Sequence, residues 1–447
     1  MTDAAPVETE ALKRSKIGWV LLAGLGVSYV IGGDFSAWNF GLERAGWGGM
    51  MLAVGITAVV WLALMATLAE LSSILPTAGG GFAFAEAAFG PVAGRLTGFA
   101  ILVEYGAASA VVAIFFEAYW RGLFGFGGWP IVVAAFAVPV AIHLRGAKEA
   151  IVSVFILTTV AIAGILLFGV AMAPSFDVAN LIEAAPGQAG HPLLPAGLTG
   201  VWLALPFATA FFLAVEGIAM AAEEVEAPQK TLPKAMIAAV VVLGLLGVIL
   251  LLSGPGGVGV QALSGANDPL PAALRLAGRG DGVLPILVSL AALVGLGACL
   301  FSAIYAFSRQ AFALSRAGYL PERLSAVGTR GTPVLAILVP SALALAVALI
   351  GGAAAAEGVF VAMVLAAMVS YVAMTLSHIR LRSARSETLR PYKTPGGVGT
   401  AGFACLMSMV LLVACCATGV GWSLGTMLLL CVLVVVFRGR GGPGASF

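Results

Sequence analysis

Twelve long apolar runs fill most of this 447-residue chain and constrain its fold more than any other feature. An α-helix needs about 20 apolar residues to cross a bilayer, and most of these runs reach that length. We predict membrane spans at residues 17–40, 47–69, 94–121, 128–144, 149–173, 197–222, 234–254, 283–311, 333–351, 356–379, 397–418 and 420–437. Long continuous runs exclude a β-barrel, whose strands are short and alternate between apolar and polar residues. Because 61% of the residues are hydrophobic and only 10% are charged, we predict an all-α polytopic membrane protein.

The positive charges indicate how the chain is oriented in the membrane. If both termini lie on one side, nineteen of the 23 Lys and Arg residues fall on that side. The exceptions are Arg44, Arg121, Arg275 and Arg279. Since Lys and Arg are retained in cytoplasmic loops, we expect both termini in the cytoplasm.

Two carboxylates interrupt the apolar runs at similar depths, in spans one and six. Asp34 follows Gly32 and Gly33 in the first span, and Glu216 precedes Gly217 in the sixth. An ionised carboxylate near the bilayer centre costs at least about 2.5 kcal/mol, so such an acid normally faces a cavity or a partner. Glycine lets the backbone leave helical geometry, and two interrupted helices at matching places in two halves point to a transporter's binding site. The pairing therefore predicts a carrier for a small organic cation.

Each intramembrane acid has more than one role open to it. Asp34 either contacts a substrate ammonium or caps the outer half of span one. Glu216 serves either transport coupling or ammonium binding. Glu104, beside Tyr105 in span three, either faces the inner cavity or makes a structural hydrogen bond to a broken helix.

Aromatic and hydroxyl side chains near these acids are further candidates. Phe211 and Phe212 precede Glu216 by just over one helical turn, where an aromatic lid would offer a cation–π face to an amine. Plain packing is the alternative role for one of the two. Ser302 and Tyr305 share one face of span eight and would offer a hydroxyl.

Three separated stretches break the helical pattern and resemble motifs of the amino acid, polyamine and organocation superfamily of transporters. Residues 70–84, ELSSILPTAGGGFAF, resemble its re-entrant cytoplasmic hairpin. Residues 223–235, EEVEAPQKTLPKA, resemble its signature E-E-x-x-N-P-x-x-x-x-P-x-A, with Ala227 in place of Asn. Residues 316–321, RAGYLP, resemble its A-R-D-G-x-L-P turn without the Asp.

This resemblance implies an inverted-repeat, LeuT-like fold in which spans one to five and six to ten are related by a pseudo-twofold axis. The substrate is then expected where spans one and six are broken, and spans eleven and twelve are peripheral. The predicted organisation is a cytoplasmic tail at 1–16, one transporter domain at 17–437 with repeats at 17–173 and 197–379 and peripheral helices at 397–437, and a cytoplasmic tail at 438–447.

Within the superfamily, the ethanolamine permease subfamily is the most similar. The resemblance lies in residues 30–41, VIGGDFSAWNFG, residues 46–49, GWGG, and residues 75–82, LPTAGGGF. It implies import of protonated 2-aminoethanol across a bacterial inner membrane by alternating access. The charge of Asp34 agrees, because carriers of amino acids grip the substrate carboxylate with free amides at this place, and a fixed carboxylate would repel it. Putrescine or another polyamine, or a cationic amino acid, is the alternative substrate.

The candidate site combines these residues. The substrate-binding candidates are Gly32, Gly33, Asp34, Phe35, Tyr105, Phe212, Glu216, Gly217, Ser302 and Tyr305, and the coupling or gating candidates are Glu104, Phe211 and Glu216. We expect no enzyme, because the sequence shows neither a metal cluster, nor a nucleophile with its base, nor a phosphate-binding loop. A sensor without transport activity stays open.

No cofactor or metal is expected, and H+ is the coupling ion favoured over Na+. Span five contains no lysine of the kind found in some proton-driven relatives, and Ser302 is the hydroxyl of span eight compared with the sodium ligands of sodium-coupled relatives. These features favour uniport or coupling to H+ over coupling to Na+, since the membrane potential alone drives a cation inward by about 2.3 kcal/mol per 100 mV. The expected partners are a small-molecule amine and membrane lipid but no nucleic acid, and the oligomeric state stays open.

Overall fold

The computed structural model describes residues 18–77, 79–145, 150–182, 191–225, 227–328, 332–384 and 389–437, and α-helices account for most of them. The helices are α1 (Trp19–Phe35), α2 (Phe40–Ile74), α3 (Gly81–Phe89), α4 (Pro91–Phe124), α5 (Trp129–Arg145), α6 (Ala150–Met172), α7 (Val178–Leu181), α8 (Gly197–Ala208), α9 (Pro228–Val258), α10 (Pro269–Leu274), α11 (Val283–Arg316), α12 (Val334–Gly351), α13 (Ala356–Ala384), α14 (Val398–Thr418) and α15 (Val420–Val436). Two 3-10 segments, Thr209–Phe211 and Val215–Glu224, follow α8.

The apolar helices correspond to the predicted membrane spans. Eight helices are long and apolar enough to cross a membrane, and α8 forms a ninth span with the 3-10 segment after it, bent by 42°. Three shorter apolar helices, α1, α5 and α15, complete a set of twelve within the described ranges. The prediction of an all-α polytopic membrane protein is confirmed.

The two halves of the chain repeat the same order of elements. In each half a broken helix is followed by a long helix, then by a short helix, and then by a helix of 34 residues, which is α4 in the first half and α11 in the second. The next helix in each half is short and contains a proline, Pro139 in α5 and Pro340 in α12. This correspondence is what an inverted repeat of 17–173 and 197–379 requires.

The first break lies one turn later than the sequence suggested. Helix α1 stays helical through Gly32 and Gly33 and ends at Phe35; the chain then becomes extended at Ser36 (φ −160°) and left-handed at Ala37 (φ 78°). The two glycines serve a different purpose, which is close packing. A Cβ on Gly33 would lie 2.0 Å from the carbonyl oxygen of Ala210, so only glycine lets α1 cross the second broken span at this distance.

The second break is built in the same way. Helix α8 continues as a 3-10 turn that ends at Phe211. Ala214 then adopts φ 78°, and the backbone continues as the 3-10 segment Val215–Glu224. Ala37 and Ala214 are the two non-glycine residues with positive φ among those that the structure describes. A left-handed alanine costs about 1–2 kcal/mol, and such strain persists only where the surroundings impose it, typically at functional sites.

A buried ionic cluster ties the predicted cytoplasmic ends of two helices together. Glu70 of α2 is fully buried and accepts hydrogen bonds from Arg382 of α13 (2.9 Å), from Arg390 (2.8 Å) and from the backbone N–H of Thr394 (2.7 Å). His378 Nε2 lies 3.1 Å from the same carboxylate. Glu70 therefore anchors the connection between α13 and α14 as well as α2.

Some predicted features lie outside the described residues. These are the tails 1–16 and 438–447, Ala78, Glu226, and the predicted cytoplasmic cations Lys148, Arg330 and Arg385.

Candidate functional site

Glu216 lies two residues beyond the left-handed Ala214 and is held by two tyrosines. Its side chain is 6% exposed. Tyr105 of α4 donates to Oε1 at 2.9 Å, and Tyr371 of α13 donates to Oε2 at 2.5 Å. The Tyr105 hydroxyl also lies 3.3 Å from the carbonyl oxygen of Ala214. The second break is thus fastened to two long helices through one carboxylate.

Glu104 forms a pair with Glu216 across the hydroxyl of Tyr371. Glu104 is fully buried, and its Oε1 lies 3.5 Å from the Tyr371 hydroxyl oxygen. Its other oxygen, Oε2, has no hydrogen-bond partner in the described part of the chain. One hydroxyl therefore stands between two carboxyl groups in a site shielded from solvent, and we call Glu104 and Glu216 the carboxyl pair.

Asp34 is a buried carboxylate without a hydrogen-bond partner in the part of the chain that is described. Its side chain is 0% exposed, and neither carboxylate oxygen has a hydrogen-bond partner among the residues described. Asp34 does not cap the helix that follows the break, because that helix begins at Phe40 with Asn39 before it and no side-chain cap. A buried carboxylate without a partner is costly, so this position calls for a ligand cation or a proton.

Asp34 is not hydrogen-bonded to the carboxyl pair, because neither of its carboxylate oxygens has a hydrogen-bond partner within the described ranges. Helix α1 packs on α11 here, because a Cβ on Gly32 would lie 2.9 Å from Cys299 Sγ. The structure therefore provides two acidic positions, one at each break.

Aromatic rings surround both breaks. Phe212 lies against Trp61 of α2 (ring centroids 6.0 Å), and Trp61 meets Tyr371 edge-on (5.8 Å). Phe211 stacks on Trp38 (6.3 Å). The Phe211 and Phe212 rings also meet edge-on at 6.5 Å, so the two predicted lid residues belong to one continuous row of rings from Trp38 to Tyr371.

The other predicted residues at the breaks fill structural roles as well. The carbonyl oxygen of Phe35 accepts the Tyr119 hydroxyl at 2.7 Å, which fixes the last turn of α1. Gly217 lies beneath two rings, since its Cβ would be 2.8 Å from the Tyr105 hydroxyl and 2.9 Å from the Tyr29 ring.

Ser302 and Tyr305 occupy different surroundings. Ser302 hydrogen-bonds the Ser28 hydroxyl at 2.7 Å and so joins α11 to α1 close to the first break. Tyr305 instead lies beneath the guanidinium of Arg309 (4.7 Å) and near His143 of α5 (6.2 Å). His143 is 4% exposed and stacks on the Phe301 ring.

A small cavity opens beside Glu216 toward the predicted cytoplasmic hairpin. It has a volume of about 10 Å³, which is room for about one water molecule. Its walls include Gly80 and Gly81 at the start of α3, together with Met220 and Met374. The cavity therefore lies between Glu216 and the start of α3, in the hairpin predicted to be cytoplasmic.

Several contacts close the predicted outer side of the first break. Arg44 of α2 pairs with Glu357 of α13 at 2.5 Å. Asn39 donates to the carbonyl oxygens of Leu263 and Ala266, both at 2.8 Å, in the segment between α9 and α10. The site is therefore covered on this side, and reaching it from there requires these bonds to break.

The sequence did not reveal Tyr371 or Trp61. Between Glu357 and Thr375 of span ten, Ser370 and Tyr371 are the polar residues, and this pair was the available signal. Within the described residues, no group of three or more His, Cys, Asp and Glu side chains has the arrangement to hold a metal ion.

Comparison with known proteins assigns the whole of this architecture to one family. The family model "Amino acid permease" matches residues 20–441. An uncharacterized transporter of Rhizobium meliloti is 27% identical over 86% of this chain and 82% of its own length. The branched-chain amino acid permease BcaP of Bacillus subtilis is 24% identical over 94% of this chain and 90% of its length. A methylthioribose transporter of the same species is 29% identical over 72% of this chain and 71% of its length.

Proposed function

This chain belongs to the amino acid permease family, and we propose that it imports a small organic cation, ethanolamine, across a bacterial inner membrane by alternating access. The observation that carries the proposal is the carboxylate of Asp34, which is fully buried at the first break and lacks a hydrogen-bond partner among the described residues. An ammonium ion supplies both the charge and the N–H donors that this carboxylate needs. The same carboxylate disfavours a substrate that brings a carboxylate of its own.

The carboxyl pair supports proton-linked transport. Two carboxyl groups that share the Tyr371 hydroxyl in a site shielded from water repel each other when both are charged. A proton on one of them relieves this repulsion, and its release toward the cytoplasm accompanies the inward movement of substrate.

A diamine such as putrescine is the second candidate, and one observation favours it. Asp34 is not hydrogen-bonded to the carboxyl pair within the described residues, which leaves one acidic group at each break for two ammonium groups. Ethanolamine has one ammonium group, which would pair with one acidic position and leave the other to carry the coupling proton.

Uptake into proteoliposomes that contain only this protein tests the proposal. Labelled ethanolamine, putrescine, arginine and alanine are compared at one pH, with and without an inward proton gradient, and binding is measured by calorimetry. We expect saturable uptake of ethanolamine, with weaker competition by alanine. Preference for alanine or arginine would overturn the argument from Asp34, and binding without flux would indicate a sensor.

The matched variants are Asp34→Asn and Glu216→Gln. Asp34→Asn removes the counter-ion, so it should weaken ethanolamine binding by at least tenfold. Glu216→Gln should reduce transport and its response to the proton gradient more than it reduces binding. Unchanged affinity in Asp34→Asn would exclude it as the ammonium site.

A further inference from the structure

A large apolar groove lies away from the substrate site, between α4, α12, α13 and α15. Its volume is about 800 Å³, and its walls are apolar, with Phe99, Gly106, Leu343, Ala362 and Gly425 among them. On α15 the lining extends from Gly421 to Leu433, which at the rise of an α-helix is about 18 Å. Phe437, just beyond the end of α15, also lines the groove, so its full length is about 24 Å, which is most of the roughly 30 Å hydrocarbon core of a bilayer.

Protein side chains do not fill this groove. A Cβ placed on Gly421, Gly425 or Gly106 would have no atom within 4 Å, although glycines on membrane helices usually allow close contact with a neighbouring helix. Gly33 is such a glycine, because a Cβ placed on it would lie 2.0 Å from the backbone oxygen of Ala210. The glycines of the groove therefore face space that hydrocarbon can occupy.

One end of the groove carries an arginine with unused hydrogen-bonding capacity. Arg95, near the start of α4, lies over the Tyr319 ring (5.9 Å) and reaches the carbonyl oxygen of Phe437 at 3.4 Å. Its Nε is buried and has no hydrogen-bond partner in the described structure. Phe437 lines the groove and contacts the ring of Phe99 at 5.7 Å, which places Arg95 at this end.

The charge around Arg95 favours an anion. The guanidinium of Arg95 is positively charged, and its hydrogen bond to the neutral carbonyl oxygen of Phe437 leaves that charge without a counter-ion there. The nearby carboxylate of Glu86 accepts the Tyr319 hydroxyl at 2.6 Å, which does not neutralise its charge, whereas the hydrogen bond from Arg95 goes to the carbonyl oxygen of Phe437. By the distribution of positive charge, this end lies on the cytoplasmic side.

We propose that the groove binds an anionic phospholipid of the cytoplasmic leaflet, with an acyl chain along Gly106 and Gly425 and the phosphate at Arg95. Basic positions between membrane helices on this side bind anionic lipid headgroups, and the guanidinium fork matches phosphate oxygens. A helix of a second copy would fill the apolar part but would leave the arginine without an anion. The proposal does not depend on the transported substrate.

Lipid retention by the purified full-length chain tests this site. The protein is stripped of lipid in detergent and then given phosphatidylglycerol, phosphatidylethanolamine or glycerol phosphate alone. Native mass spectrometry measures the bound fraction, and thermal unfolding measures Tm. We expect phosphatidylglycerol to be retained several-fold more than phosphatidylethanolamine and to raise Tm, and we expect no effect of glycerol phosphate, which lacks the acyl chains.

Two pairs of variants separate the headgroup from the acyl chain. Arg95→Gln should lower phosphatidylglycerol retention to the level of phosphatidylethanolamine, whereas Arg380→Gln should not, because Arg380 also lies over a ring, that of Phe89, but outside the groove. Gly425→Leu should lower retention of both lipids. Gly55→Leu is its control, since Gly55 is an exposed glycine of α2 with equally open space.

Three outcomes would overturn the proposal. One is equal retention of the two lipids by the parent protein, and another is equal retention by Arg95→Gln and Arg380→Gln. The third is a change from dimer to monomer in Gly425→Leu with lipid retention unchanged, which would identify the groove as a contact between two copies.

Discussion

Ala37 and Ala214 adopt the same left-handed backbone conformation, with φ 78° at each, and each lies at the break of one of the two interrupted spans. The two halves of the fold therefore interrupt their first helix with the same local geometry. In both cases the residue is alanine, for which this conformation costs about 1–2 kcal/mol. The breaks are imposed by contacts around them, such as the hydrogen bonds from Tyr105 and Tyr119.

Ala37→Gly and Ala214→Gly should each raise the free energy of unfolding by up to about 1 kcal/mol. Glycine relieves the left-handed strain but adds about 0.5–1 kcal/mol of conformational entropy to the cost of folding. The measurement is unfolding in a denaturing detergent series. Ala163→Gly, at an exposed helical position in α6, should instead lower the free energy of unfolding by about 1 kcal/mol. Equal losses at all three positions would mean that the breaks store no strain.

Apolar run length was sufficient to predict the twelve spans, because a bilayer demands that length of any helix that crosses it. The positions of the breaks were harder to predict. Gly32 and Gly33 were interpreted as the site of unwinding, whereas they are helical and allow close approach to Cys299 and Ala210. A sequence shows that a glycine is present but not whether it bends the backbone or makes room for a neighbour.

The partners of the acids depend on long-range contacts that one sequence does not display. Tyr371 lies far along the chain from both Glu104 and Glu216, and only folding brings its hydroxyl between them. Ser302 and Tyr305 show that spacing alone does not predict contacts. Their three-residue separation predicts that they share one helix face. The two side chains nevertheless contact different neighbours, Arg309 and Ser28.

Tyr371→Phe should uncouple proton movement from transport. The change removes the hydroxyl between the carboxyl groups but preserves the ring against Trp61. We expect ethanolamine uptake driven by a proton gradient to fall at least tenfold, with a binding constant within about threefold of the parent, since a hydrogen bond to a charged group contributes about 1.5–3 kcal/mol. Uptake is measured in proteoliposomes with a pH-sensitive dye inside.

Tyr105→Phe provides the comparison for this prediction. It removes one hydrogen bond from Glu216 but leaves the Tyr371 hydroxyl between the two acids. Its response to the proton gradient should therefore persist. If both variants lose that response to the same extent, the Tyr371 hydroxyl between Glu104 and Glu216 has no specific role in proton coupling.

Loss of the Arg44–Glu357 pair should open the outer side without a large loss of stability. Both side chains are partly exposed, at 23% and 41%, and exposed ion pairs contribute at most about 1 kcal/mol. Glu357→Gln should therefore unfold near the parent Tm while a thiol introduced as Ser36→Cys reacts faster with a membrane-impermeant reagent added outside. Ser36 is fully buried in the closed arrangement. An unchanged labelling rate would show that the pair does not hold the outer side closed.

Glu70→Ala should be among the most destabilising single changes at the predicted cytoplasmic end. It leaves Arg390, whose side chain is 6% exposed, and the partly buried Arg382 without their carboxylate, and breaking a buried ion pair from one side costs about 3–5 kcal/mol. The same change frees the N–H of Thr394 and so detaches the connection between α13 and α14 from α2. Unfolding in a denaturing detergent series measures the loss, with Glu322→Ala at an exposed position as the control, expected within about 0.5 kcal/mol of the parent. A loss below about 1 kcal/mol in Glu70→Ala would mean that water reaches the two arginines and that the cluster does not fasten these helices together.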